Sequence, residues 1–189
     1  MEARIYTDDL NRIIAATKDF CTPESETHRV EQKYIKLEFD AEKSIVTAVA
    51  VDGYKLSVEH AVISDCDESF VAYIKPAAKF PNKQYAKISV VKEDDELFVR
   101  CKDTIYGFKQ PNITTPFDWE KVLPTDQPSL RIGFNARYLL DALKAAKASC
   151  GSVFNSPIVL EFTSPLSPVV FKTNGGSDIK FVLPMRIKD

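Results

Sequence analysis

The chain has 189 residues, of which 44% are hydrophobic, 28% charged and 11% aromatic. This length fits one domain or two small ones, and the net charge of −2 excludes a strong overall positive field, so nucleic-acid binding would need a local basic patch. No apolar run reaches the roughly 18 residues of a membrane span and no apolar signal segment opens the chain, so we expect a soluble, globular, cytoplasmic protein.

The first third of the chain predicts one helix followed by three strands. Residues 8–19 have helical spacing, and Asp8 or Asp9 can cap the start. The residues expected on its buried face are Leu10, Ile13, Ile14 and Thr17. Alternating apolar and polar residues then predict strands at 35–39, 44–51 and 55–60, with a polar hairpin connection at 40–43.

The same order recurs in the middle third. Residues 70–74 form a predicted strand, and residues 75–80 form a short predicted helix with Pro76 in its first turn. Three strands are predicted at 87–91, 97–101 and 104–109. The acidic turn at 93–95 and Lys102-Asp103 connect them.

The order recurs again in the last third. Residues 130–133 predict a strand, Asn135 an N-cap and 136–148 a helix. The residues expected on the buried face of this helix are Tyr138, Leu139, Ala142, Leu143 and Ala146. Strands are predicted at 158–162, 169–172 and 179–185, with a hairpin turn at 174–176. One strand-helix-strand-strand-strand unit therefore occurs three times, each needing another unit to cover its apolar face.

Catalytic and metal-binding patterns are absent from the sequence. The four cysteines are far apart without a CxxC pair, and the two histidines complete no zinc spacing. Nucleophile elbows, phosphate-binding loops and dinucleotide-binding glycine patterns are not present either. We therefore expect free thiols, no metal, no cofactor and no enzymatic activity.

Several segments, taken together, resemble the bacterial sliding clamp, the beta subunit of DNA polymerase III. Residues 50–56 (AVDGYKL) are similar to the family's A-T-D-G-H-R-L segment, and residues 117–124 (FDWEKVLP) to F-P-D-Y-x-R-V-L-P. Residues 132–143 (IGFNARYLLDAL) resemble the last helix of the family's third domain. Residues 162–169 (FTSPLSPV) and 183–187 (LPMRI) resemble its closing strands.

The resemblance implies an α+β, DNA-clamp-like fold built from three helix-plus-antiparallel-sheet half-domains. Residues 1–124 correspond to the family's middle domain and 125–189 to the second half of its third domain. The first domain and the first half of the third have no counterpart here. The head-to-tail dimer of the family uses those parts, so the usual ring does not follow from the resemblance.

The resemblance also implies a peptide-binding groove between the two parts, which in the family holds polymerase and clamp-loader peptides. The residues carried over to one wall are Val51, Gly53, Tyr54, Lys55, Leu56, Phe117, Lys121 and Val122. Those carried over to the other wall are Asn135, Tyr138, Leu166, Pro168, Val182, Leu183, Pro184, Met185 and Arg186. An apolar pocket with a flexible methionine suits varied aliphatic and aromatic anchors, and Asn135, Lys55 and Arg186 suit peptide backbone or acidic groups.

Two features leave the peptide prediction open. Val51, Tyr54 and Phe117 replace the family's threonine, histidine and proline, which implies a more filled, more apolar pocket. Alternatively, the same residues pack the two parts of the chain together and bind no peptide. This interpretation stays open for Leu56, Val122 and Leu183. Binding is favoured for Met185 and Arg186.

Weak backbone-only binding of double-stranded DNA is a further implication, because helices line the DNA channel in the family. The candidate basic residues are Arg12, Lys18, Lys79, Lys83, Arg137, Lys144 and Lys147. From residue 129 onward there are eight basic and four acidic residues, whereas the rest has 17 and 23. Phosphate attraction of this kind falls steeply with salt. A solvated helix face is the alternative.

The leading hypothesis is a non-enzymatic, clamp-like replication (processivity) protein that captures peptides. Copies that pair through the unpartnered third unit would form a dimer with three complete domains, and two dimers would supply a six-domain ring around DNA. The alternative is a ring-less module that modulates or competes with a full clamp. A small-ligand binder or enzyme on a clamp scaffold is a third hypothesis, which a deep polar pocket elsewhere would favour.

Overall fold

A computed structural model describes residues 1–23, 25–26, 29–81, 86–150, 157–173 and 176–187. The chain divides into two compact units, Met1–Leu123 and Pro124–Asp189, hereafter the first and second units. In these described ranges, neither α-helix is long and apolar enough to cross a membrane.

The first unit is a single antiparallel sheet with one α-helix in the part described. Its elements are β1 (Glu2–Tyr6), α1 (Thr7–Thr17), β2 (Ile35–Asp40), β3 (Ile45–Val51), β4 (Leu56–Cys66), β5 (Phe70–Ile74), β6 (Lys87–Glu93), β7 (Glu96–Cys101) and β8 (Thr104–Lys109). Short 3₁₀ turns lie at Lys18–Phe20, Val30–Lys33 and Glu120–Val122. The first predicted helix and the predicted strands are found, and β4 ends six residues beyond the end of the predicted strand.

The first unit consists of two halves, β1–β4 and β5–β8, and the first strand of each half pairs with a strand of the other. The sheet order is β5-β2-β3-β4-β1-β6-β7-β8, so β1 of the first half pairs with β6 of the second. In return, β5 of the second half pairs with β2 of the first. The ends of the sheet meet through Gln110, whose Nε2 donates to the Tyr73 carbonyl at 3.0 Å and whose Oε1 accepts from the Tyr73 N–H at 2.8 Å.

The sequence prediction omits β1, although this strand joins the two halves. Its alternation is present, because Ala3 and Ile5 are buried while Arg4 is exposed. The helix beside it buries the four predicted residues, Leu10, Ile13, Ile14 and Thr17. Leu10, Ile13 and Ile14 join one continuous core with both halves of the sheet.

The helix predicted at 75–80 is wrong. Only one turn forms, in which the Ala78 N–H donates to the Lys75 carbonyl at 3.0 Å. The side chain of Asn11 takes over both backbone groups of Phe80: its Nδ2 donates to the carbonyl at 2.9 Å and its Oδ1 accepts from the N–H at 3.0 Å. The buried Phe80 ring then packs edge-on against Tyr106. A tertiary contact therefore replaces the helical hydrogen bonds.

The second unit is a helix on a small sheet. Its described elements are α2 (Ala136–Ser149), β9 (Val159–Glu161), β10 (Val169–Thr173) and β11 (Asp178–Val182). The sheet order is β11-β10-β9, and α2 packs against β10 and β11. Val169, Phe171 and Val182 are buried beneath Leu139 and Ala142 of the helix.

Several predictions for the second unit are wrong. Residues 130–133 form no regular strand, since only Gly133 is bridged, to Met185. The last strand ends at Val182 rather than 185. Tyr138 and Leu143, predicted to be buried, are 61% and 37% exposed. The reason is that a three-stranded sheet covers only one side of the helix. The predicted turn is described only at Gly176, because residues 174–175 lie outside the described ranges.

Candidate functional site

A groove of about 630 Å³ opens on the second unit between α2 and the end of the chain. Residues of the first two turns of the helix form one side, and β11 with the segment after it forms the other. The lining residues are Asn135, Tyr138, Asp141, Ala142, Lys180, Phe181, Val182, Leu183, Pro184 and Met185.

Local folding rules explain this groove. The Oδ1 of Asn135 caps α2 by accepting from the N–H groups of Arg137, at 3.0 Å, and Tyr138, at 3.4 Å. Positions three and four apart on a helix lie on one face, which brings Tyr138, Asp141 and Ala142 to the groove. The cap also occupies the amide oxygen of Asn135, so the predicted contact to a peptide is limited to its NH₂ group.

The opposite side is fixed by the bridge at the end of the chain. The Met185 N–H donates to the Gly133 carbonyl at 2.8 Å, immediately before the Asn135 cap. This hydrogen bond holds the backbone of Met185 in place, while the side chains of Leu183 and Met185 stay exposed. The backbone on this side of the groove is therefore held by a hydrogen bond, and its exposed apolar side chains are available for contact.

The groove offers apolar contact with two charges of opposite sign. Val182 is buried at its base, while Tyr138, Phe181, Leu183 and Met185 are exposed. Asp141 comes from the helix and Lys180 from β11, with the Lys180 ammonium bonded to the Ser149 hydroxyl. This arrangement suits an extended segment with apolar anchors.

The second-unit residues implied by the resemblance divide into two sets. The groove brings together Asn135, Tyr138, Val182, Leu183, Pro184 and Met185. It is not lined by Leu166, Pro168 and Arg186, and Leu166 is 81% exposed. The sequence prediction missed Asp141, Ala142, Lys180 and Phe181. Helical spacing from Tyr138 could have indicated the first two.

The turn between β3 and β4 carries several of the residues implied for the first unit. The Oδ1 of Asp52 accepts from the N–H groups of Tyr54, at 2.9 Å, and Lys55, at 3.0 Å, and Gly53 has a φ of 95°. Burial alone would raise the pKa of Asp52, but these two N–H groups and the Lys55 ammonium outweigh it and lower the pKa. The turn is therefore built around a charged carboxylate.

Other first-unit residues are dispersed along the unit. Val51 and Phe117 line one small cleft, and the Lys36 ammonium donates to the Phe117 carbonyl at 3.4 Å. The Tyr54 ring is fully exposed. Leu56, at the start of β4, is partly buried.

Both lysines implied for the first unit have bonding partners within the protein. Lys55 is bonded to the Asp19 carbonyl, and its ammonium also lies 3.4 Å from Asp52. Lys121 forms an exposed ion pair with Asp118 at 2.7 Å. Val122, beside it, is exposed in the 3₁₀ turn. Both ammonium groups therefore already have an oxygen partner in the first unit.

The candidate DNA-binding residues differ in how freely they can bind phosphate. Arg12 is engaged within the protein: its guanidinium lies 3.7 Å from Asp9 and 3.2 Å from Glu59, and it donates to the His60 carbonyl at 2.7 Å. Arg12 is itself exposed, and the other exposed candidates are Lys18, Lys79, Arg137, Lys144 and Lys147. Lys79 is not on a helix, and Lys83 lies outside the described residues.

Metal-binding groups and reactive thiols are the features of catalytic chemistry that the described residues address. No group of three His, Cys, Asp or Glu side chains among them could hold a metal ion. Burial raises the pKa of the Cys21 thiol to about 11 and also raises the pKa values of Cys66 and Cys101, which keeps these thiols protonated near neutral pH. A second cleft, of about 240 Å³, includes Thr7 and Lys87, but Thr7 donates to the Ala86 carbonyl and Lys87 lies over the Tyr6 ring.

Comparison with known proteins identifies the fold. No protein-family model matches the sequence, and no curated protein matches it significantly. The DNA polymerase sliding clamp of Bacillus subtilis matches with a TM-score of 0.80 and 17% identity over 97% of this chain and 49% of that one. The DNA polymerase III beta chain of Streptococcus pneumoniae matches with a TM-score of 0.80 and 14% identity over 98% and 50%.

A ligand-bound structure is also similar. The Helicobacter pylori beta clamp bound to a DNA ligase peptide matches with a TM-score of 0.74 and 14% identity over 96% of this chain and 49% of that one. The chain therefore has the α+β fold of the bacterial sliding clamps, and it spans about half the length of these three clamps.

Proposed function

We propose that this protein is a non-enzymatic, sliding-clamp-like component of DNA replication that captures peptides of polymerase or clamp-loader type. The observation that carries the proposal is the apolar groove on the second unit, lined by α2 and the segment from Lys180 to Met185. A protein of the same fold, the H. pylori clamp, has been crystallised with a DNA ligase peptide.

The groove fits an extended peptide better than a small polar ligand. Four of its side chains, Tyr138, Phe181, Leu183 and Met185, are large, apolar and exposed. Exposed apolar surface of this kind, beside charged groups, is typical of an interaction site. Methionine adapts its shape to different partners, and the Asp141 and Lys180 charges can orient a peptide.

Fluorescence anisotropy with a labelled clamp-binding peptide that has aliphatic and aromatic anchors tests the proposal. We expect saturable binding, weakened by Met185→Ala or Tyr138→Ala by about 1–2 kcal/mol each, or roughly 5- to 30-fold. Met185→Ala keeps the backbone N–H that donates to Gly133, so the frame of the groove is retained.

The matched control is Ile105→Ala, which removes an equally exposed apolar side chain from β8 of the first unit. It should leave the affinity unchanged. The proposal is contradicted if no clamp-binding peptide binds, or if the control weakens binding as much as the groove variants. Leu56→Ala measures separately whether the first-unit residues implied by the resemblance take part.

We also propose weak, salt-sensitive binding of double-stranded DNA through the exposed basic residues of α2. Arg137 and Lys144 lie seven positions apart and therefore share a helix face, with Lys147 one turn further on. Removing one phosphate-binding side chain should reduce the slope of log K against log salt by about 0.9.

Charge reversal distinguishes this DNA site from a solvated face. Lys144→Glu should weaken binding of a DNA duplex at low salt and make its salt dependence shallower. Arg12→Ala should change DNA affinity by less than about twofold, because this guanidinium is already paired with Asp9 and Glu59. Equal effects of the two substitutions would count against the proposal.

The alternative role is a ring-less modulator or competitor of a full clamp. Both roles predict peptide binding, so retention on DNA decides between them. An oligomer that encircles DNA stays on closed circular DNA and slides off after linearisation. A competitor displaces a labelled peptide from a full clamp and is not retained on either form.

A further inference from the structure

The first unit shows what a complete unit of this chain requires. Its two halves are joined by reciprocal strand pairing, with the first strand of each half beside the second strand of the other: β1 with β6, and β5 with β2. The two pairings relate the two halves to each other as an approximate two-fold axis would. They cover the sheet edges that each half would otherwise expose.

The second unit has the order of one such half. Residues 130–133 precede α2 as β1 precedes α1, and the bridge between Gly133 and Met185 corresponds to the pairing of β1 with β4. In the described residues of this unit, nothing pairs with the other side of 130–133. The outer edge of β9 is likewise unpaired there. Both edges used for exchange in the first unit are thus open in the second.

The two helices differ at matching positions. Asn11 is the fifth residue of α1 and bonds both backbone groups of Phe80 in the opposite half, and Ile14, the eighth, is 2% exposed. The fifth and eighth residues of α2 are Leu140, 50% exposed, and Leu143. The position of Asn11, which bonds the opposite half, and that of the buried Ile14 are both occupied by exposed leucines in the second unit.

The edge strand shows the same difference. Leu37 of β2 has a neighbour on each side, Ala48 and Ala72, and is fully buried. Leu160 of β9 pairs only with Phe171, which places it on the face that α2 covers, yet it is 44% exposed. The helix packs on β10 and β11 and leaves the apolar side chain of β9 open to a partner.

We propose that the second unit is completed by the second unit of another copy of this chain, in a two-fold dimer. Residues 130–133 of each copy lie beside β9 of the other, while Leu140, Leu143 and Leu160 form the shared core. Arg131 lies on the first open edge, and Glu161 on β9 is paired with Lys172 at 2.8 Å, so the pairing brings no uncompensated like charges together. Such an interface is self-complementary, as two-fold symmetry requires.

The occupant is a second copy because both complementary edges, and the apolar residues between them, lie on the same unit. The resulting dimer contains three complete eight-stranded units: one first unit from each copy and one shared. This inference does not depend on the peptide groove, which lies between Asn135 and Met185.

Sedimentation velocity of the full chain across a range of concentrations tests the dimer. We expect a species of twice the 21.3 kDa monomer mass. Leu160→Asp should weaken the dimer about tenfold or more, because it places a charge in the shared core. Val62→Asp is the matched control: Val62 is 68% exposed on β4 of the first unit, and its replacement should leave the dimer intact.

A second variant separates dimer loss from misfolding. Leu140→Glu lies on an exposed helix face, where the substitution leaves the helix folded by circular dichroism, and it should also shift the protein to monomer. The proposal is overturned if the wild-type protein stays monomeric at several hundred micromolar. It is equally overturned if the dimer persists in both variants. It is also overturned if the second unit associates with a different protein and never with another copy of this chain.

Discussion

Asp52 shows how one side chain shapes the turn that carries Gly53, Tyr54 and Lys55. Its carboxylate accepts two backbone N–H bonds, and its side chain is only 17% exposed. Because the pKa of Asp52 is lowered in the folded protein, its ionised form contributes stability at neutral pH. This contribution is complete above the unfolded-state value of 3.8 and is lost as the pH falls through the lower folded-state pKa.

Substitutions of Asp52 test this contribution by urea denaturation at pH 7 and pH 3. Asp52→Ala should lower the free energy of unfolding at pH 7 by about 1–2 kcal/mol, because two N–H groups lose their acceptor. Asp52→Asn keeps an acceptor oxygen but no charge, so it should cost less at pH 7 and flatten the decline toward pH 3. An Asn variant with the full wild-type decline would contradict the assignment.

At the scale of single residues, sequence patterns succeeded where burial follows from one element. The buried face of α1 was predicted correctly because a complete sheet surrounds it. The same periodicity failed for Tyr138 and Leu143, because the second unit has too few strands to cover them. Phe181 was missed as a groove residue because it alternates with the buried Val182 and so lies on the other face of β11.

At the scale of the structural elements, the groove depends on the close packing of Gly133 against Met185 and Ile187. A Cβ atom at this position would lie 2.9 Å from Cγ1 of Ile187 and 3.3 Å from the Met185 carbonyl oxygen. The residue therefore allows the end of the chain to pass close to the start of α2. A side chain here must displace the Ile187 side chain and crowd the Met185 carbonyl oxygen.

Gly133→Ala should therefore widen the groove and reduce peptide affinity several-fold. We expect the unfolding free energy to fall by about 1–3 kcal/mol, as for overpacking. Gly107→Ala is the control, because its Cβ would lie at an ordinary 3.6 Å from Phe98. Thermal unfolding and peptide anisotropy measure both effects. Equal tolerance of the two substitutions would show that the bridge does not frame the groove.

The elements of the fold were predicted from sequence where alternation was local. The strands at 70–74 and 104–109 have the predicted bounds, because alternating apolar residues define them. The helix at 75–80 failed because Asn11, far away in sequence, binds the backbone of Phe80. The strand at 130–133 failed because a strand needs neighbours on its edges, and one of them is missing from the described second unit.

At the scale of the whole molecule, the chain consists of three similar half-domains, two in the first unit and one in the second. The threefold repeat was visible in the sequence, and the structure adds that two halves share one sheet while the described strands of the third form a sheet of their own. The clamp fold followed from a resemblance between short segments, and the structural matches bear it out. The groove residues after Val182 rested on that resemblance alone, because no periodic pattern marks them.

Binding of a peptide in the second-unit groove is the central claim, and Met185 provides a direct probe of it. The chain has only two methionines, Met1 and Met185, so methyl labelling gives two NMR signals that Met185→Leu assigns. During titration with a clamp-binding peptide, the Met185 methyl signal should shift saturably while the Met1 signal stays in place. A peptide that binds with the Met185 signal unchanged would contradict this assignment of the site.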